Sequence, residues 1–293
     1  MDLWFIISNT IVLAAIYGTL AIGVSITWSS LGLLNLSYGF VFAFAGYGAW
    51  LFAQYVTTFG PAVLGVGILA GALGGVLVCA VAFIPIHDKP NFTTRGLIAT
   101  LAINLVGTQT LMWWFGPRSK NLPEIFGTWK LSMSGMVLTA DRVGNVLTSV
   151  IMLLLVLRWM RSSRRGLEIR AMMMNPHAAS IVGIGVRRTS FYVMAITGGL
   201  AGLSAVLLSQ TYYISPFGGL MPMIKAVAIA LCGGLGSVQG AVIAALVLGL
   251  NEALTTVSVG GRYVLITQFL LIIAILLVRP RGIAGLLDKA REA

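Results

Sequence analysis

Stretches of about twenty apolar residues, each closed by a short polar or glycine-rich interval, recur along nearly the whole chain. At 1.5 Å of rise per residue, about twenty helical residues cover the ~30 Å hydrocarbon layer of a bilayer and keep every backbone group bonded internally. The pattern predicts nine such segments, at residues 4–28, 33–56, 61–84, 96–115, 143–160, 190–213, 220–231, 238–254 and 263–278, and eight to ten fit the same pattern. The seventh is short and flanked by glycines, as a broken or re-entrant span would be, and such a span is tolerated only inside protein or beside water. The expected fold is all-α: a polytopic helical bundle forming one membrane domain over residues 1–293.

Small residues recur at every fourth position in three segments: Gly67, Gly71 and Gly75; Gly198 and Gly202; Ala241, Ala245 and Gly249. Such ladders let a second helix approach closely. The second segment is dense in glycine and aromatics, and Phe40, Phe42, Phe44 and Tyr47 read as lipid-facing or packing residues. Its uncharged polar residues Asn35, Ser37 and Gln54 need partners in lipid, so one of its faces points into the protein.

One long polar interval interrupts the pattern. Residues 158–188 hold seven of the nineteen Lys and Arg residues against a single acid, Glu168. Short loops rich in Lys and Arg stay on the cytoplasmic side. With residues 158–189 placed inside and 116–142 outside, thirteen basic residues fall inside and five outside, which puts the amino end outside and the carboxyl end inside. The interval also carries helix signals. Asn175 is an N-cap residue, Pro176 suits the first helical position, and Gly183 can take the left-handed conformation that ends a helix. They bracket a helix over 177–182 with small, mildly apolar faces, shaped to dock in a shallow groove.

Composition narrows the class further. The chain is 58% hydrophobic and 9% charged, far from soluble proteins, and its net charge of +11 follows from the inside loops rather than from nucleic-acid binding. Cys79 and Cys232 lie in apolar segments, where a free thiol behaves as a small hydrophobe. The first apolar stretch lacks a basic leader region and a cleavage site, and so reads as a span. No phosphate-binding loop, metal-ligand spacing or nucleophile–base pair occurs, so the chain is expected to be no enzyme, with no catalytic, cofactor-binding or metal-binding residues. Intramembrane charge is confined to Lys225 and Glu252, twelve residues before and fifteen after Ser237. Along two helices reversing there, the two reach similar depth and are placed to pair, or to serve an ion-coupled carrier or channel working alone. Energy from a separate ATPase pressing on the cytoplasmic helix fits the sequence better.

The runs GLEIRAMMMNPHAASIVGIGV, GGLAGLSAVLL, GGLGSVQGAVIAALVLGLNEAL and LLVRPRGI, in order from about residue 160 to 283, closely resemble the permease subunits of branched-chain amino-acid ABC importers, a family with urea and amide relatives. GLLNLSYGFVFAFAGYGAW resembles the family's second-helix motif more loosely. By position, the resemblance implies that Gly166, Arg170, Ala171, Asn175, Pro176, Ala178, Ala179, Gly183 and Ile184 form the coupling loop against the ATPase. It likewise implies that Asn35, Ser37, Tyr38 and Gly39, with Gly233, Gly234, Gly236 and Ser237, border the translocation path. Ser37-Tyr38-Gly39-Phe40 stands where the family commonly has Ala-His-Gly and a small or acidic residue, which leaves the solute open between branched-chain or related amino acids and urea or an amide. The implied partners are a second, similar permease, two ATP-binding subunits that bind the ATP, and a periplasmic solute-binding protein. The implied location is the bacterial inner membrane.

Overall fold

The computed structural model describes residues 2–87, 89–133, 136–280 and 282–284. The chain begins with α1, Asp2–Leu31, a 30-residue helix, and resumes as α2 at Tyr38–Tyr55. α3, Gly60–Val78, widens into five π-helical residues, Cys79–Phe83, before the single turn α4, Ile84–Ile86. Pro85 accounts for that position, because its ring would strike the carbonyl one turn earlier in a regular helix. α5 is Phe92–Phe115, and α6 is Ala140–Ser162. Next come α7, Arg164–Met174, the short α8, Pro176–Ile181, and α9, Val186–Leu208. The chain closes with α10 at Leu220–Gly233, α11 at Val238–Ser258 and α12 at Val264–Val278. Among the described residues, seven helical spans are long and apolar enough to cross a membrane, with α2 and α10 shorter or less apolar.

One expectation is corrected here: the helix of the second segment begins not at residue 33 but at Tyr38. The membrane bundle is helical as expected, and the loop before α6 adds a two-stranded hairpin, β1, Lys130–Met133, antiparallel to β2, Met136–Thr139. Sequence reasoning also missed α7 as a helix, because its faces are basic as well as apolar.

The small-residue ladders define the core. Gly67 lies against Gly202 and Val206, Gly71 against Gly198 and Gly202, and Gly75 against Met194 and Gly198, so α3 and α9 run antiparallel with backbones touching. The ladder of α11 meets α1 in the same way, Ala245 beside Gly18 and Gly249 beside Thr10 and Ala14. α1 and α9 form the buried centre, each contacting the other, and α1 packs on α10 and α11 as α9 packs on α2 and α3. α5, α6 and α12 lie outermost, with exposed apolar faces that include Leu105, Leu154 and Leu277.

The two ends of the bundle differ. At one end lie α7, α8 and the reversal between α10 and α11, where the Gly236 amide donates to Ser25 Oγ at 2.9 Å and the Ile283 amide to the Cys232 carbonyl at 2.7 Å. The hairpin is at the other end, where Lys120 and Ile214 exchange backbone hydrogen bonds of 2.8 and 2.9 Å.

Candidate functional site

The basic interval folds as two consecutive helices. Ser163 caps α7 by accepting from the Gly166 amide at 2.9 Å, and Gly166 sits against the backbone of Met160, where a side chain would not fit. Arg165 bonds both carboxylate oxygens of Glu168, at 2.8 and 3.0 Å, and that bond raises the guanidinium pKa above its ordinary value. Ile169 and Met172 bury one face of α7, while Arg170 stays exposed on the other. Ala171 accepts the Asn175 amide at 3.1 Å and closes the helix.

Asn175 then starts the next helix. Its Oδ1 accepts from the His177 and Ala178 amides at 3.0 and 3.1 Å, which satisfies two of the donors a helix start leaves free. Pro176 is the first residue of α8, and Gly183, at φ +88°, turns the chain away. Ala179 is buried, and its carbonyl accepts the Ile184 amide at 3.1 Å, which fastens the far side of the turn. Ala178 is exposed, beside Ile181 and Val182 at 74% and 76% exposure, so two large aliphatic side chains project from the basic end, uncovered by any of the described residues.

The eight residues expected along the path fall into two packed regions. Asn35, Ser37 and Tyr38 are buried in the break between α1 and α2. There the free backbone donors find side chains of α5: Leu36 N–H donates to Thr100 Oγ1 at 3.2 Å and Phe40 N–H to Asn104 Oδ1 at 2.7 Å. Asn104 therefore caps α2 from another helix, while Ser37, the residue just before α2, donates to Asn35 Oδ1 at 2.6 Å instead. Thr100, Asn104 and Thr108, spaced by four in an otherwise apolar helix, are the sequence signal that could have located this role. Gly39 backs directly onto Gly219, so the starts of α2 and α10 abut. Gly233 packs on Gly240, Gly234 on Gly282, Gly236 faces Ser29, and Ser237 caps α11 through the Gly240 amide at 3.0 Å.

A cavity of about 370 Å³ opens elsewhere, between α1, α2, α9, α10 and the loop after α9, and none of those eight residues lines it. Tyr212 and Tyr213, both exposed, stand at its mouth, on the end opposite α8. Among the described residues, Lys225 supplies the one charge of its lining. Its ammonium lies 2.8 and 2.7 Å from the two carboxylate oxygens of Glu252 and 3.3 Å from the Tyr17 hydroxyl. Gln268 donates to Glu252 at 2.8 Å from behind. The two charges thus meet across α10 and α11, joined by Tyr17 of α1 and Gln268 of α12.

The sequence model of a family described as branched-chain amino acid transport system, permease component, matches residues 6–276. The chain is 28% identical over 291 residues to the high-affinity branched-chain amino acid transport system permease protein LivH of Salmonella typhimurium, covering 94% of both chains. It is 26% identical over 290 residues to the corresponding protein BraD of Pseudomonas aeruginosa, again with 94% of both covered. Its fold is similar to a solved chain of PsaBC from Streptococcus pneumoniae in complex with Fab, with a TM-score of 0.54, 13% identity, and 96% and 95% of the chains covered.

Proposed function

From the premise that this chain belongs to the family of branched-chain amino acid transport system permease components, we propose that it carries a small amino acid with an apolar side chain across the bacterial inner membrane. It is a multi-pass permease subunit of an ABC importer, and membership of that family implies association with ATPase and solute-binding components. The complete assembly pairs it with a second, homologous permease, two ATP-binding subunits that hold the ATP, and a periplasmic solute-binding protein. About nine segments cross the bilayer, two of them completed by the chain that precedes the shorter helices α2 and α10, with the amino end outside. The basic end faces the cytoplasm, because short loops rich in arginine are retained there.

The observation that carries this reading is the α7–α8 pair: a rigidly capped short helix that presents exposed Ile181 and Val182 beside a basic surface, at the end where an ATPase would dock. The coupling residues are Gly166, Arg170, Ala171, Asn175, Pro176, Ala178, Ala179, Gly183 and Ile184. Some set the backbone shape and others offer the surface. ATP-driven closure of the two ATPase subunits moves this helix, and α7, seated on α1, α6 and α9, passes the motion into the buried centre.

The test is co-purification from gently solubilised membranes, followed by transport in proteoliposomes. An ATPase should accompany the tagged chain and be lost when residues 176–182 are replaced. Asn175→Leu combined with Pro176→Gly removes the cap, worth about 1 kcal/mol locally, and should leave the bundle folded while solute uptake no longer follows ATP hydrolysis. Unchanged uptake per ATP in that variant would reject the coupling role.

A further inference from the structure

We infer that Lys225 is a recognition point for a carboxylate of the solute, and that Glu252 is a built-in competitor for the same cation. The inference rests on the importer reading and adds to it a site and a ligand chemistry. Three observations converge. First, the cavity has the character of a small-molecule site: apolar walls such as Phe42, Ile214 and Pro222, with a few polar groups placed among them. Its volume of about 370 Å³ accommodates a small amino acid.

Second, the ion pair is directional. Tyr17 and Lys225 line both the cavity and a void of about 10 Å³ on its far side, where Glu252 and Gln268 lie, whereas Glu252 lines only the far void. The cavity therefore faces the cation and not its counter-ion. Third, the cavity wall includes Gly218 and Met221 at the start of α10, whose helix dipole places its positive end there. Both contributions favour an anionic group at the cavity floor. Neither favours an ammonium.

Glu252 explains how such a site can release what it binds. With its side chain 9% exposed and hydrogen-bonded by Gln268, the carboxylate stays next to Lys225 when the cavity is empty, so the cation is never left unpaired in the membrane. An incoming carboxylate has to share or displace that partner, which weakens binding in the way a transporter requires. The apolar part of the solute then lies against the cavity walls, so the ligand class is a small amphiphilic carboxylate.

The experiment measures binding of tritiated leucine to the purified permease–ATPase complex, without nucleotide and without the solute-binding protein, with leucinamide as competitor. The wild-type complex should bind leucine and be competed poorly by leucinamide, which lacks the carboxylate. Lys225→Met should weaken binding by about tenfold or more, as loss of a charge-assisted hydrogen bond in a desolvated site implies, and Glu252→Gln should tighten it. The double variant Lys225→Met/Glu252→Gln, which leaves no uncompensated charge to disturb folding, should bind as poorly as Lys225→Met.

Equal weakening by Lys225→Met and Glu252→Gln, full binding in the double variant, or equal competition by leucinamide would each overturn the inference and make the pair a structural tie. Absence of leucine binding by a wild-type complex that still imports leucine on addition of ATP and solute-binding protein would also overturn it, while leaving the importer reading intact. Failure of the wild type to import would instead reject that reading.

Discussion

At the scale of single residues, glycine positions separate into those that set helix packing and those that do not. A Cβ on Gly71 would meet the Gly198 carbonyl and the Gly202 backbone, which cannot move aside without separating α3 from α9. Gly65 has open space around it. Gly71→Leu should therefore cost about 3 kcal/mol or more of packing and sharply lower the yield of folded protein on size-exclusion chromatography, as should Gly202→Leu. Gly65→Ala should give normal yield. The aromatic residues of the second segment also separate at this scale: Phe42 and Tyr47 are buried, with Tyr47 stacked on Phe115 at 4.2 Å, so both pack inside the protein instead of facing lipid.

Among elements, the break between α1 and α2 is the feature most dependent on distant partners. Bare N–H groups in a membrane interior are costly, and here Thr100 and Asn104 of α5 accept them. Asn104→Leu should orphan the Phe40 amide, at a cost of about 1–3 kcal/mol, and lower the melting temperature of the purified complex by a few degrees. An unchanged melting temperature would show that another acceptor replaces Asn104. The contrast with α8 is physical. Its cap, Asn175, lies within three residues of the amides it serves, so the sequence displays it, whereas the cap of α2 lies 64 residues away.

For the whole molecule, the concentration of arginine at one end makes sidedness testable. If the basic end is cytoplasmic, a cysteine placed at the exposed Ser180 should react with a membrane-impermeant maleimide only in inside-out vesicles. One placed at the exposed Tyr213 should react only in intact spheroplasts. Opposite labelling would invert the orientation. The outer faces of α5, α6 and α12 are apolar and uncovered by the described residues, as expected of surfaces that meet lipid or a second permease.

The sequence by itself determined the polytopic helical class, most helix positions, the glycine ladders, the existence of a capped helix after Asn175 and the permease family. Each is written in local periodicity, composition or a continuous motif, and lipid removes most alternatives by demanding that backbone bonds be made within a segment. Tertiary structure decided which ladder meets which, where α2 really begins, that the loop before α6 carries a hairpin, and that the residues expected along the path are packed away from the cavity. It also decided that Lys225 and Glu252 pair, and that only the lysine faces the cavity. Residues far apart along the chain meet in each of these features, and their meeting depends on how the helices pack around α1 and α9 and not on any one stretch of sequence.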